Sequence, residues 1–169
     1  IFRAYFAIQR LSTSKGFPTN AIFGFVNMLM KVLEEKKPKL LAVAFDTPKP
    51  SFRKKMYPEY KATRERPPED LLPQFAPIHR SVEVFGVMPL RVEGFEADDI
   101  IGTLHSRLRA QGVPATLVTR DKDLAQLIRE GDVYWNYTEN LQLRHHEIGA
   151  HFGVEPEPCA PDDGSGHGP

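Results

Sequence analysis

The feature of this 169-residue sequence that most limits its fold is the alternation of short apolar runs with longer segments of helical periodicity. Apolar residues recur every three or four positions over residues 19–36, and residues 40–45 form a continuous apolar run that ends at Asp46. A short apolar run after a helix is typical of a buried strand. The alternation therefore predicts an α/β fold with a mainly parallel sheet.

The same patterns predict the positions of the main elements. Helices are expected at residues 19–36, 68–85, 96–110 and 121–129, and strands at residues 40–45, 88–92, 114–119 and 133–137. In the first helix, the spacing of Ile22, Val26, Leu29 and Leu33 predicts the buried face. Pro73 and Pro77 are expected to disturb the early turns of the second helix.

Acidic side chains follow three of the predicted strands at the point where each strand ends. They are Asp46 after the first, Glu96, Asp98 and Asp99 after the second, and Asp121 and Asp123 after the third. The carboxyl ends of strands form the edge at which open α/β sheets bind ligands. Carboxylates gathered there require a cation, and Mg²⁺ and Mn²⁺ prefer oxygen ligands. The pattern favours a two-metal phosphodiesterase site, although each acid alone is equally consistent with a helix cap.

Residues 49–66 form a basic segment that contains seven Lys or Arg residues and two Glu residues. Phe52, Tyr57 and Tyr60 are interleaved with these cations. Cations that contact phosphates and rings that stack on unpaired bases are typical of nucleic-acid binding. A solvated connection is the alternative, but the position of the segment directly after Asp46 favours a phosphate-binding role. The zero net charge of the chain is thus the sum of the positive charge of this basic segment and the negative charge of the acidic site.

Composition excludes two other classes of protein. The single Cys, Cys159, excludes an internal disulfide framework, and no apolar run reaches the roughly 18 residues of a membrane span. We therefore expect a cytoplasmic protein without a membrane partner. Because residues 155–169 are rich in Gly and Pro, we expect them to be a disordered tail.

Several motifs together resemble the 5′-nuclease domain of bacterial DNA polymerase I, part of the flap-endonuclease family. The most specific are Tyr60-Lys-Ala-Thr-Arg64, Gly94-Phe-Glu-Ala-Asp-Asp-Ile-Ile-Gly102 and Thr119-Arg-Asp-Lys-Asp-Leu-Ala-Gln-Leu127. The resemblance implies a PIN-like (resolvase-like) three-layer domain with a mainly parallel central sheet and a basic arch. It also implies a nuclease that cuts 5′ flaps and trims 5′ ends of DNA with Mg²⁺ or Mn²⁺, held as two ions.

The resemblance carries roles to individual positions. It implies metal binding, directly or through water, by the six acids Asp46, Glu96, Asp98, Asp99, Asp121 and Asp123. Lys61 and Arg64 would stabilise charge on the scissile phosphate, and Tyr60 would position a base. Arg53 and Lys54 are expected as further DNA contacts. The expected partners are DNA with 5′ flaps or 5′ ends and a linked polymerase domain, in a nucleoid-associated protein.

The chain also departs from the family pattern. An acid expected before Arg3-Ala4-Tyr5, and the acids and duplex-binding motif expected after residue 157, are not in the sequence. Arg120 stands where the family usually has a small residue. We therefore expect a 5′-nuclease domain at residues 1–154 that is incomplete at both ends and cleaves slowly. Two alternatives remain: a catalytically silent DNA-binding remnant of the family, and a PIN-type ribonuclease.

Overall fold

The computed structural model describes residues 1–63 and 66–153. Arg64 of the expected arch and the expected tail at residues 155–169 lie outside the described residues. The chain divides into two compact units, residues 1–100 and residues 101–169. None of the helices in the described ranges combines the length and apolarity that a membrane span requires.

The first unit contains two parallel strands and the helices around them. Its elements are α1 (Phe2–Ala7), α2 (Asn20–Lys36), β1 (Ala42–Ala44), α3 (Phe52–Met56), a 3₁₀ turn (Leu72–Gln74), α4 (Phe75–Val84), β2 (Met88–Leu90) and the start of α5 (Ala97–Arg109). Strands β1 and β2 pair in parallel, with Val43 opposite Pro89. The strands expected at residues 40–45 and 88–92 are confirmed as shorter strands, and the helices expected at residues 19–36 and 96–110 are confirmed. The start of the helix expected at residues 68–85 was wrong, because Pro73 lies in a 3₁₀ turn and α4 begins at Phe75, with Pro77 in its first turn.

Helix α2 begins after Thr19 and ends at Lys36, and the next residue, Lys37, adopts a left-handed conformation before Pro38. Its buried side chains include Phe25, Leu29 and Val32. The predicted buried face of α2 was therefore wrong in part. Leu29 is buried as expected, but Phe25 and Val32 are buried in place of Val26 and Leu33, so the buried face is rotated around the helix axis. The rotation follows from packing on two sides, since α2 contacts both α1 and α4.

Gln74 is fully buried and joins the start of α2 to the 3₁₀ turn. Its Oε1 accepts hydrogen bonds from the backbone N–H groups of Ala21 (2.8 Å) and Ile22 (3.3 Å), which have no partner within the helix. Its Nε2 donates to Asn20 Oδ1 at 3.0 Å and to the Asp70 carbonyl at 2.9 Å. One side chain from elsewhere in the sequence thus caps α2, as Thr19 makes no side-chain capping bond.

The second unit is built on a three-stranded sheet. After the remainder of α5 it contains β3 (Thr116–Val118), α6 (Lys122–Ala125), β4 (Val133–Asn136), β5 (Leu141–Arg144) and α7 (His145–Phe152). Strands β3 and β4 are parallel, and β4 and β5 are antiparallel. The parallel pair confirms the expected α/β character, whereas β5 was not predicted.

Asp132 is the buried polar centre of the second unit. It accepts hydrogen bonds from the N–H groups of Ala115 (2.8 Å) and Arg129 (3.0 Å), and one of its oxygens lies 2.8 Å from His105 Nε2. Both His105 and Asp132 are almost fully buried. These contacts tie α5 to the turns that precede β3 and β4.

We expect Gln74→Leu to destabilise the protein, because it leaves two buried N–H groups at the start of α2 without an acceptor. At about 1–3 kcal/mol for each unsatisfied group, the loss should be at least about 2 kcal/mol in the free energy of unfolding. Urea unfolding followed by circular dichroism measures it. Gln9→Leu, at an exposed position of the same unit, is the matched control and should leave the midpoint almost unchanged. Equal midpoints for the two variants would contradict this account of α2 capping.

Candidate metal and nucleic-acid site

The parallel pairing of β1 and β2 brings two acidic groups to one edge of the first unit. The backbone N–H of Phe45 donates to the carbonyl of Leu90 at 3.0 Å, which extends the ladder to the residue before Asp46. Asp46 Oδ1 in turn accepts a hydrogen bond of 2.8 Å from the N–H of Ala97, at the start of α5. Asp46 therefore lies beside residues 96–99, here called the acidic turn.

Glu96 receives three side-chain hydrogen bonds, all from the basic segment. Ser51 donates to Oε1 at 3.2 Å, whereas Tyr60 and Lys61 donate to Oε2 at 3.2 Å and 2.9 Å. Ser51 and Lys61 are ten residues apart in sequence, so one carboxylate closes this part of the segment into a loop. Lys61 adopts a left-handed φ of 55°, which is uncommon for a residue with a side chain.

Arg53 pairs with Asp99 through two parallel hydrogen bonds. Its Nη1 and Nη2 lie 2.7 Å and 2.6 Å from the two carboxylate oxygens of Asp99, and Nη1 is 3.6 Å from Glu96 Oε2. Asp99 also accepts from the N–H of Glu96 at 2.9 Å, which caps the first turn of α5. This bidentate geometry is the strongest form of an arginine–carboxylate contact. It fixes α3 to the acidic turn.

These contacts shift the ionisation of the two acids in the same direction. Hydrogen bonding from Arg53 lowers the pKa of Asp99, and partial burial opposes this only in part. Partial burial disfavours the charged form of Glu96, but hydrogen bonds from Lys61, Ser51 and Tyr60 outweigh it and lower the pKa. The contact with Asp99 also raises the pKa of Arg53. Both carboxylates are therefore charged at neutral pH and are neutralised by cations of the chain.

A polar cavity of about 150 Å³ lies between Asp46, Thr47, Lys61, Phe95 and Glu96. Within the described ranges, no three His, Cys, Asp or Glu side chains form a group that could hold a metal ion. Mg²⁺ usually keeps several waters and needs only one or two protein carboxylates beside a substrate phosphate. Thr47 also lines this cavity, and its buried hydroxyl has no hydrogen-bond partner among the residues that the structure describes. The donors at the cavity thus fit a hydrated divalent ion.

The remaining expected ligands lie at the starts of helices. Asp98 is exposed in the first turn of α5. Asp121 and Asp123 belong to the second unit, where Asp121 caps α6 by accepting a hydrogen bond of 2.9 Å from the N–H of Asp123. Asp121 thus has the local role of a cap, the alternative that its sequence position left open.

Two residues at the cavity were not among the expected site residues. Ser51 is buried and holds Glu96, and Thr47 follows Asp46 directly. Ser51 carries one sequence signal, because a Ser before the basic helix α3 is a favoured residue at the N-cap position. Thr47 carries none, since its role depends on a fold that brings Glu96 beside it.

The chain matches known proteins along almost its whole length. Residues 1–153 match the family described as 5′-3′ exonuclease, N-terminal resolvase-like domain. A 5′-3′ exonuclease of Aquifex aeolicus is 37% identical over 93% of this chain and 54% of its own length. DNA polymerase I of Pseudomonas aeruginosa is 40% identical over 93% of this chain and 17% of its own length. The chain thus spans about half of one relative and a smaller part of the other.

Solved structures agree on the fold. The T5 D15 protein crystallised with metal ions aligns with a TM-score of 0.64 at 21% identity, over 78% of this chain and 53% of that one. T5 5′-exonuclease with bound zinc aligns with a TM-score of 0.62 over 79% of this chain. These likenesses show the fold, and the family match over residues 1–153 shows that the chain belongs to the 5′-3′ exonuclease family and contains its N-terminal resolvase-like domain.

Proposed function

We propose that this chain is the catalytic part of a metal-dependent, structure-specific 5′-nuclease that cuts 5′ flaps and trims 5′ ends of DNA. The observation that supports it most is the direct contact between the basic segment and the acidic turn. Lys61 lies 2.9 Å from Glu96, and Arg53 lies 2.6 Å from Asp99. Phosphodiester hydrolysis needs acids that hold cations and cations that hold phosphate, and here the two sets lie side by side.

We propose Mg²⁺ or Mn²⁺ as the cofactor, held as two ions. The proposed ligands in the first unit are Asp46, Glu96, Asp98 and Asp99, and those in the second unit are Asp121 and Asp123, directly or through water. When bound, such ions supply Lewis-acid stabilisation of charge on the phosphate and activate the attacking water. The related T5 protein was crystallised with metal ions, which supports a divalent cofactor.

In this proposal Lys61 releases the carboxylate of Glu96 when it binds a phosphate of the DNA. Its ammonium group donates a hydrogen bond of 2.9 Å to Glu96 at the cavity. A phosphate that enters the cavity offers Lys61 a second acceptor, and transfer of the hydrogen bond to that phosphate leaves Glu96 available as a ligand. Lys61 is suited to this because its charge lies on a flexible stem.

The other residues of the basic segment have binding roles. Lys54 is exposed on α3. Its proposed role is to contact backbone phosphate, whereas Arg64, like Lys61, is proposed to bind DNA and to stabilise charge on the scissile phosphate. Tyr60, whose ring lies 5.0 Å from the Lys61 ammonium, positions a base of the flap strand. Arg53 adds positive charge to the same surface while it stays paired with Asp99.

For the whole protein we propose two further features. The relatives called DNA polymerase I are much longer than this chain, which covers 17% of the Pseudomonas aeruginosa protein. A polymerase domain linked to this one is therefore a proposed partner in cis. Because these relatives are bacterial, we propose that the protein works in the cytoplasm at the nucleoid.

We expect Asp98→Asn to reduce cleavage of a 5′-flap DNA by at least about 100-fold, since the stabilisation supplied by a bound ion amounts to several kcal/mol. Single-turnover assays with Mg²⁺ and with Mn²⁺, on flap DNA and on an RNA of the same sequence, measure it. Glu83→Gln, in an exposed ion pair on α4, is the control that keeps the rate of the unaltered chain.

The substrates and the unaltered chain distinguish the alternatives. DNA that is bound but not cut with either metal would identify a silent DNA-binding remnant. Faster cleavage of RNA than of flap DNA would instead identify a ribonuclease. Equal cleavage by the unaltered chain and the Asp98→Asn variant would contradict the proposed metal site.

We expect Lys54→Gln to weaken binding to single-stranded DNA, because the variant loses one phosphate contact. The slope of log affinity against log salt concentration should fall in magnitude by about 0.7. Fluorescence anisotropy at a series of KCl concentrations, with Ca²⁺ in place of Mg²⁺, gives the slope. Lys39→Gln removes the same charge at an exposed position outside the basic segment and should leave the slope unchanged. Equal slopes for the two variants would contradict the phosphate contact.

A further inference from the structure

Phe95 is an exposed aromatic side chain at a cavity that is otherwise polar. It directly precedes Glu96, and 46% of it is exposed to solvent. It lines the cavity together with Asp46, Lys61 and Glu96. Exposed apolar residues are common on protein surfaces, but this one lines a charged cavity that a substrate phosphate would enter.

Contacts with α3 hold the Phe95 ring in place. Its centroid lies 5.5 Å from that of Phe52, and the backbone N–H of Phe52 donates to the carbonyl of Gly94 at 2.8 Å. The Arg53 guanidinium lies 4.7 Å from the centroid of the Phe52 ring, so the Phe52 ring already contacts a cation. Phe95 is therefore the better placed of the two rings to receive a ligand.

We propose that Phe95 stacks on an unpaired base of the DNA strand whose phosphate is bound by Lys61. The inference rests on the proposed nuclease function and adds to it a positioning residue on the acidic side of the cavity. A base–aromatic stack contributes about 1–3 kcal/mol and tolerates any base. It places the nucleotide beside Glu96 without selecting a sequence, as a nuclease that recognises DNA structure requires.

The first test uses a tryptophan reporter. Trp135 is the single Trp of the chain and is fully buried, so it gives a constant background. In a Phe95→Trp variant, the new indole fluorescence should be quenched when a 5′-flap DNA is added in Ca²⁺. Phe23→Trp is the matched control, because Phe23 is 50% exposed on α2 and does not line the cavity. Its fluorescence should not respond to the DNA.

The second test removes the stack from either side. Phe95→Leu should weaken binding of the intact flap by about fivefold or more, since the lost stack is worth at least about 1 kcal/mol. On a flap in which the nucleotides next to the junction are abasic, the same variant should bind as the unaltered chain does. Phe95→Trp should restore binding of the intact flap, because it restores the aromatic face.

The outcomes separate this inference from the function on which it rests. Equal losses on intact and abasic flaps would show that Phe95 only holds the acidic turn, and would overturn the inference while leaving the nuclease proposal intact. Tight flap binding that Phe95→Leu does not change would do the same. Absence of any flap binding by the unaltered chain would overturn both.

Discussion

The candidate site depends on the parallel pairing of β1 and β2. Parallel strands end at the same edge, so the pairing of Val43 with Pro89 places Asp46 beside the start of α5. Strands of three residues do not hold this arrangement alone. The apolar cluster around Phe25, Leu29 and Ile78 packs near the strands, and Gln74 secures the start of α2. The packing of the apolar cluster and the capping of α2 by Gln74 thus help to position the carboxylates from a distance.

Charge compensation is the second constraint on this surface. The acids of the turn would repel one another, and the cations of the basic segment would do the same, if either set stood alone. Contact between the sets lowers the pKa values of Glu96 and Asp99. Part of the zero net charge of the chain is therefore a local pairing between two elements that are distant in sequence.

Much of the fold could be predicted because its signals are local. The bounds of α2 follow from apolar periodicity between Thr19 and Pro38, and the parallel strands follow from apolar runs between helices. The face that α2 buries could not be predicted in full, because α1 and α4 together select Phe25 and Val32. Strand β5 also escaped prediction, although Leu141-Gln-Leu-Arg144 alternates apolar and polar residues, because a run of four residues is a weak signal and β5 is stabilised by its pairing with β4.

The acids of the candidate site could be identified from the sequence, but the side chains that pair with them could not. The positions of Asp46, Glu96 and Asp99 after strands follow from the sequence, and the structure places all three at one edge of the first unit. The pairing of Arg53 with Asp99 spans 46 residues, and no local pattern encodes it. The sequence patterns predict that the cations bind DNA and the acids bind metal, and the structure shows in addition that Arg53 and Lys61 pair with Asp99 and Glu96.

The two cations that neutralise the acidic turn are not equivalent. Arg53 donates two hydrogen bonds to Asp99 with a planar group, and release would break both at once. Lys61 donates one to Glu96, from a flexible side chain on a backbone with a left-handed φ of 55°. Replacement of the carboxylate by a phosphate as the hydrogen-bond acceptor therefore costs less free energy at Lys61 than at Arg53. In the proposed function, Arg53 therefore keeps α3 and the acidic turn together, and Lys61 is the cation that transfers to DNA.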